Sequence, residues 1–355
     1  MRRAVRLLDL RQKNMTKTQD TAVVILNWNG EKLLREFLPG VVANTNAALG
    51  RVVIADNGST DGSLAYVAEA FGDSVDVVAF DKNYGYAGGY NRALEALKGK
   101  YRYAVLLNSD VLPGESWLEP LVEFMDDNEQ AGACQPKILS YREPDTFEYA
   151  GASGGYIDRN GYPYCRGRLF GTCEKDHGQY DTVADIFWAT GAALMIRLDL
   201  FLEVGGLDED FFAHMEEIDM CWRVLLAGYK IYAVPSSVVY HLGGGSLPAA
   251  NPRKTFLNFR NNLLLLHKNL PDGYRGRKLF ERRLLDTIAW AKFMATFDFG
   301  NANAILRAHK EFRVMARNYM SHPDVNLLKQ RPDARVNLLV AYYLRGKRKF
   351  SQLFG

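Results

Sequence analysis

The chain has 355 residues, 48% of them hydrophobic and 24% charged, with a formal net charge of +3. This is the composition of a globular protein with a sizeable core, and it excludes disordered and collagen-like chains. The charge is uneven: residues 251–355 carry 21 Lys/Arg against 7 Asp/Glu, so a basic region follows an acidic body and an anionic partner surface is expected.

The N-terminal MRRAVRLLDLRQKNMTKTQD has bases but no sustained apolar core; residues 1–19 are expected to be a flexible arm, not a signal peptide. TAVVILNWNG (21–30) is an apolar run closed by Asn27, Asn29 and Gly30: a buried strand, then a loop, then a helical pattern through Leu33, Leu34, Phe37 and Leu38. RVVIADNGSTDGS (51–63) repeats the design, with Asp56 and Asn57 at the strand end. VDVVAF (75–80) is a third strand. The glycine-rich DKNYGYAGGYN then opens a helix, and YAVLLNSD is a fourth strand. Strand and helix alternating at this rhythm call for a mainly parallel sheet covered on both faces. Four successive strand ends carry Asn or Asp, which marks one shared site along the carboxyl edge of the sheet.

From about 134 to 185 the chain is rich in Gly, Tyr and turns and reads as irregular, with short hairpin strands walling a pocket. Strand, helix, loop, helix, strand and a glycine run follow, and beyond Pro252 the pattern is helical to the end. The expected organisation is therefore an arm over 1–19, an α/β domain over 20–250 and a basic helical extension over 251–355. Cys134, Cys165, Cys173 and Cys221 form no CxxC pair, which points to free thiols in a reducing, cytoplasmic setting. No run of about 18 uncharged apolar residues occurs, so no membrane-spanning helix is expected.

No GxGxxG follows the first strand and no GxxxxGK[ST] is present, which removes the dinucleotide and P-loop signatures. Asp110, at the end of LLNSD, is either a turn residue or a lone carboxylate able to hold a metal. In FFAHMEEIDMCWR (211–223) a helix would put Glu216, Asp219 and Arg223 on one face, with Asp219–Arg223 a ready i,i+4 pair. Glu217 is rotated from that face by about 100°. That leaves Glu217 as the candidate catalytic base, with Glu216 as its alternative. A glutamate with the reference pKa of ~4.3 would be ionised at neutral pH.

VILNWNG, ADNGSTDGS, NYGYAGGYN, LLNSD, WATGAALMIR, GGLDEDFF, the EEID segment and HLGGGS occur in this order. As an ordered set over about residues 20–270, they resemble the inverting glycosyltransferases of family 2, which have the GT-A fold, nearest to the rhamnosyltransferase-like subgroup. The resemblance implies a nucleotide-diphosphate-sugar donor, a divalent cation (Mg2+ or Mn2+) and a carboxylate base. By position, Asn27 and Asn29 would touch the nucleoside and Asp56 would read the base ring. Asn83 to Asn91, including Gly88 and Gly89, would line the donor. Asn108-Ser109-Asp110 stands where the family has Asp-x-Asp, with Asp110 as the metal position; Asn108 departs from the pattern and brings no charge. Glu217 falls where many relatives carry the Asp of a Glu-Asp pair, and His241 matches a position that completes metal coordination in some of them. Trp188, Thr190 and Asp208 would face the sugar or acceptor, although Trp188 would equally suit the core. Arg260 would hold the diphosphate or make an interdomain salt bridge.

The expected reaction transfers a sugar, rhamnose first, to a glycan or lipid-linked saccharide in bacterial surface-polysaccharide synthesis. The basic extension would dock on the inner face of the membrane or on a second copy of the chain. No nucleic-acid-binding module is visible. Two rivals remain: a sugar nucleotidyltransferase, and a catalytically silent nucleotide-sugar or glycan-binding protein. The first should carry Arg and Lys just after the first strand, where LNWNG has neither.

Overall fold

The computed structural model describes residues 19–243 and 251–354. The expected arm over 1–18 and the Gly244–Ser246 part of HLGGGS lie outside the described residues.

Strands β1 (Thr21–Asn27), β2 (Gly50–Asp56), β3 (Asp76–Ala79) and β4 (Tyr103–Leu107) run parallel. Helices α1 (Glu31–Asn44), α2 (Ser63–Phe71) and α3 (Gly85–Ala96) make the crossovers between them. β1, β2 and β4 are largely apolar and buried because both faces of the sheet are covered there, whereas the edge strand β3 is only partly buried. In β1, Ala22 and Val24 enter one hydrophobic core, and Val23 and Ile25 enter another across the sheet.

After β4 come the short β5 (Val111–Pro113), α4 (Leu118–Asp127) and the long β6 (Ala131–Ser140). β6 thus occupies the start of the stretch that reads as irregular. The rest of it holds a small antiparallel sheet of β7 (Gly155–Ile157), β8 (Pro163–Cys165), β9 (Arg168–Leu169) and β10 (Thr172–Cys173). β11 (Ala184–Ile186), β12 (Ala193–Arg197) and β13 (Lys230–His241) complete the main sheet, in the order β11-β13-β6-β12-β4-β1-β2-β3. β12 lies antiparallel between β4 and β6, while β13 runs parallel to β6. The sheet is mixed, and its parallel half holds the four strand ends singled out in the sequence.

Between β12 and β13 stand α5 (Leu198–Glu203) and α6 (Glu216–Leu226), and the C-terminal region adds α7 (Pro252–Asn269), α8 (Asp272–Ala295) and α9 (Phe299–Met315). α7 starts cleanly: the Asn251 side chain accepts from the Arg253 amide, and Pro252 takes the first helical turn. Leu263, Leu264, Leu265 and Leu266 of α7 are buried in the same core as Ala22 and Leu194, so the change of sequence pattern at 250 does not separate two cores. α8 is different. Its buried face is charged, with Arg282 and Asp286 paired at 3.0 Å, whereas Phe280, Leu284 and Ile288 are 58%, 53% and 68% exposed.

Candidate active site

A cavity of about 620 Å³ opens beyond the end of β4, within the size range of ligand pockets. Asn108, Ser109 and Asp110 line it together with Trp188, Thr190, Glu216, Glu217 and His241. The carboxylate proposed for a metal and the carboxylates proposed for proton transfer therefore share one chamber.

Asp110 meets His241 because β5 pairs antiparallel with β13, setting Val111 opposite His241. His241 Nε2 lies 3.1 Å from Asp110 Oδ1. On the other side of the ring, Nδ1 lies 3.2 Å from Glu148 Oε2, a charge contact without the alignment of a directed hydrogen bond. Burial alone would lower the His241 pKa, but the two carboxylates outweigh it and raise it to about 9. Glu148, absent from the sequence reading, braces the ring from behind, as outer carboxylates do for ligand histidines. Once a cation displaces the proton that the two carboxylates favour on the ring, Asp110 and His241 offer an oxygen and an imidazole nitrogen side by side at the edge of the cavity. This donor set fits a divalent cation that fills its remaining positions with substrate oxygens and water. Among the described residues no group of three or more His, Cys, Asp or Glu side chains is arranged to hold a metal.

Glu216 and Glu217 open α6 after an unusual loop. Phe212, His214 and Met215 all take positive φ, at 65°, 70° and 74°, a region costly for residues with side chains. α7 holds the loop in place. Asn261 Nδ2 donates to the carbonyls of Phe211, Ala213 and His214 at 2.9, 2.8 and 2.7 Å. Arg260 Nη2 donates to those of Asp210 and Phe211 at 3.1 and 2.9 Å, and its Nη1 to Glu311 at 2.6 Å. Arg260 is thus fully engaged and does not line the cavity; its ion pair, to Glu311 of α9, lies within the helical extension and is not the interdomain salt bridge expected, and it meets the body through the two carbonyls.

The Asp219–Arg223 pair forms at 2.8 Å, as helical spacing predicts, and Asp219 also takes Lys268 and Asn269. That face of α6 is structural. Glu216 and Glu217 each keep one buried oxygen that no protein group satisfies. Burial pushes the Glu217 carboxyl up to about 7; burial, with the charge of Glu217 added, pushes Glu216 well above the usual carboxylate range. The expectation of a base with an ordinary carboxylate pKa is corrected: burial raises Glu217 towards neutral pH and favours its protonated form.

Asn27 and Asp56 face each other in the β1–β2 register. Both are buried, and Asn27 Nδ2 donates to Asp56 Oδ1 at 2.8 Å. Ser59 joins them, its Oγ accepting from Asn27 and its amide donating to Asp56. Asn29, at φ 48°, accepts from the Thr60 amide at 2.7 Å, and Asn83 accepts from Asn57 Nδ2 at 2.9 Å. These four residues sit at neighbouring strand ends outside the cavity lining, while Leu26 does line it.

Four other expectations are corrected. α3 begins at Gly85, so Gly88, Gly89 and Asn91 lie inside a helix and not in a loop around the donor. A Cβ on Gly89 would stand 2.6 Å from Leu26 Cδ1, so Gly89 serves close packing, whereas one on Gly88 would meet only the movable ends of Arg92 and Glu209. Asn91 brackets the backbone of Leu207 at 2.7 and 2.8 Å. Asp208 caps the short turn at 209–211 and is tied to Lys268 and to the Tyr319 hydroxyl, outside the cavity. Of the remaining pair, Trp188 is packed on Gly155 with Nε1 donating to the Tyr156 carbonyl at 2.8 Å, its core alternative. Thr190 is buried with its Oγ1 accepting from the Ala192 amide.

A mixed central sheet with its polar site at the carboxyl ends, backed by C-terminal helices, is the GT-A arrangement. Solved structures share it. GalNAc-T7 with UDP, GalNAc and Mn2+ matches with a TM-score of 0.55 at 15% identity, over 72% of this chain and 49% of that one; this chain thus spans about half of that protein. The mannosyltransferase of Pyrobaculum calidifontis, in complex with GDP-Man and Mn2+, matches with a TM-score of 0.50 at 17% identity, over 84% of each chain. Residues 22–183 match the family model of glycosyl transferase family 2. The N-acetylglucosaminyl-diphospho-decaprenol L-rhamnosyltransferase of Mycobacterium tuberculosis is 28% identical over 236 residues, 62% of this chain and 75% of that protein. The rhamnosyltransferase WbbL of Escherichia coli is 25% identical over 165 residues, 44% of this chain and 61% of that protein. Over residues 22–183 the chain matches glycosyl transferase family 2, and it is similar to the family's rhamnosyltransferases, which supports its reading as a glycosyltransferase.

Proposed function

We propose that the protein transfers rhamnose, with inversion, from a thymidine-diphosphate donor to a hydroxyl of a lipid-linked saccharide during bacterial surface-polysaccharide synthesis. The observation that carries this reading is the single cavity containing both Asp110–His241 and Glu216–Glu217. The Asn27–Asp56–Ser59 cluster, one strand over from Asp110, is the nucleoside end. Asp110 and His241 would hold Mg2+ or Mn2+, whose charge stabilises a departing diphosphate. Glu217 accepts the proton of the acceptor hydroxyl. Burial beside Glu217 favours a protonated Glu216, which spares the site a second charge. One base on one face, with the leaving group on the other, inverts the reacting carbon.

Release of nucleotide diphosphate from a panel of nucleotide sugars, with and without Mg2+ or Mn2+, tests the reading. Thymidine-diphosphate rhamnose should be consumed fastest, and Glu217→Gln should lower turnover by ~10²–10⁴-fold. Turnover of the variant within a few-fold of wild type would show that Glu217 is not the base.

No helix among the described residues is long and apolar enough to cross a membrane. The exposed Phe280, Leu284 and Ile288, with Arg277, Arg283 and Lys292 also exposed on α8, support peripheral docking on anionic lipid.

A further inference from the structure

The cavity is lined by three basic side chains from outside the strand-end row: Arg168 from β9, Lys254 from α7 and Arg282 from α8. Arg282 is neutralised by Asp286 at 3.0 Å. The other two are not. Arg168 is only 6% exposed, yet its guanidinium meets no carboxylate among the described residues. Nη1 donates to the Phe170 carbonyl at 3.0 Å, Nη2 to the weak acceptor Cys165 Sγ at 3.1 Å, and the buried Nε has no partner. Lys254 is half-buried and has no ion pair or side-chain hydrogen bond among the described residues. Both cations approach the Tyr149 ring, at 4.5 and 5.7 Å from its centroid. The carboxylate whose field reaches Lys254, Glu148, is already engaged by His241 and the Ala150 amide.

A buried cation without a counter-charge is costly, and proteins keep one where a ligand brings the missing anion. The surrounding wall is aromatic, with Tyr149, Tyr162 and Phe170 facing the same cavity, which suits the flat face of a sugar. The donor diphosphate has its own station at Asp110 and His241. The geometry points to a second phosphate station formed by Arg168 and Lys254, built for the acceptor. It selects an acceptor whose sugar is joined to a phosphate or diphosphate, over a free glycan. This assignment rests on the reading of the cavity as a sugar-transfer site, and it names the acceptor class.

The direct test needs no turnover. Inorganic pyrophosphate in the presence of EDTA should bind the wild-type protein in calorimetric titration, and Arg168→Gln and Lys254→Gln should each weaken it by about 10- to 100-fold. Absent binding, or variants that bind as wild type does, overturns the station whether or not any nucleotide sugar is consumed. If Arg168→Gln does not fold, Lys254→Gln, at the half-buried start of α7, decides alone. The source of the anion is read from transfer to two acceptors carrying one sugar, as a short-chain prenyl diphosphate or as a methyl glycoside. Wild type should favour the diphosphate by about 100-fold in kcat/KM, and the variants should lose about tenfold or more of that preference. A preference that stays intact while the donor KM rises would place the donor diphosphate there and overturn the acceptor assignment.

Discussion

The two sides of the cavity dispose of charge in opposite ways. On the strand-end side the carboxylates are partnered, Asp56 by Asn27 and Asp110 by His241, and Asn57 is paired with Asn83, although Asn27 Oδ1 and His241 Nδ1 have no hydrogen-bond partner among the described residues. On the side built by β9, α6 and α7, among the described residues Arg168 and Lys254 meet no anion, and Glu216 and Glu217 each keep an unsatisfied oxygen. A satisfied network is rigid before the ligand arrives. An unsatisfied one is completed by the ligand, and it must be held open by something else. Here that support is α7, which supplies Lys254 to the cavity and Asn261 to the strained loop ahead of the base.

The comparison breaks most sharply at Asn261. Its side-chain amide is the only group among the described residues that ties the carbonyls of Phe211, Ala213 and His214 together. Asn261→Ala frees a loop with three positive-φ residues, and the base drifts with it. Misplacement of about 1 Å at a reacting group can cost about 100-fold, so kcat should fall by roughly 10- to 100-fold while donor KM, set on the strand-end side, changes little. A variant with wild-type kcat would show that the loop is held without Asn261, by Arg260 and the loop's own backbone bonds.

The second test uses the unsatisfied carboxylates. Glu217 works as a base only when ionised, so kcat/KM should fall as pH drops through about 7, by about tenfold per pH unit below it. Stability should move the other way. A carboxyl whose folded pKa is raised binds its proton more tightly in the native state. Its contribution is fully present below the ordinary unfolded-chain value of 4.5 and is lost as pH rises through about 7. Glu217→Gln removes that loss, so the variant should melt at a higher temperature than wild type at pH 8 and should lose the acid limb in any residual activity. Equal melting temperatures at pH 8 would mean that Glu217 is solvated.

The same contrast explains what the sequence made legible. Buried parallel strands are continuous apolar runs, so their ends, and the Asn and Asp placed there, stand out without any knowledge of tertiary contacts. The Asp219–Arg223 pair follows from helical spacing alone. Gly88 and Gly89 were ambiguous for a local reason: a glycine-rich string serves a ligand loop or close helix packing equally well, and only the start of α3 at Gly85 decides. Glu148, Arg168, Lys254 and Asn261 carry no local signature. Glu148 reaches His241 because β6 and β13 pair in parallel with Ser140 beside His241. Asn261 reaches its three carbonyls because α7 folds back on the body. The ionisation of Glu217 was misjudged because burial, not residue type, sets it.

α8 extends the comparison to the outer surface, where the expected effect is smallest. Its inward face brings Arg282 to the cavity, and its outward face carries Phe280, Leu284 and Ile288 one turn apart, with Phe297 and Phe299 just beyond at 79% and 57% exposed. Apolar rings and chains beside exposed bases are the composition of a helix lying at an anionic interface. Such docking would hold the acceptor side of the cavity near a lipid-linked substrate. Replacing Phe280, Leu284 and Ile288 together by serine should reduce flotation with vesicles of phosphatidylglycerol and phosphatidylcholine. Transfer to a lipid-linked acceptor in those vesicles should fall by roughly threefold to tenfold, less than the ~1.5–3 kcal/mol available per fully buried side chain would allow, because the basic residues still attract the surface. Transfer to a short soluble acceptor should stay level. If the variant floats as wild type does, or if it converts a dimer to a monomer without changing flotation, the face covers protein and not lipid.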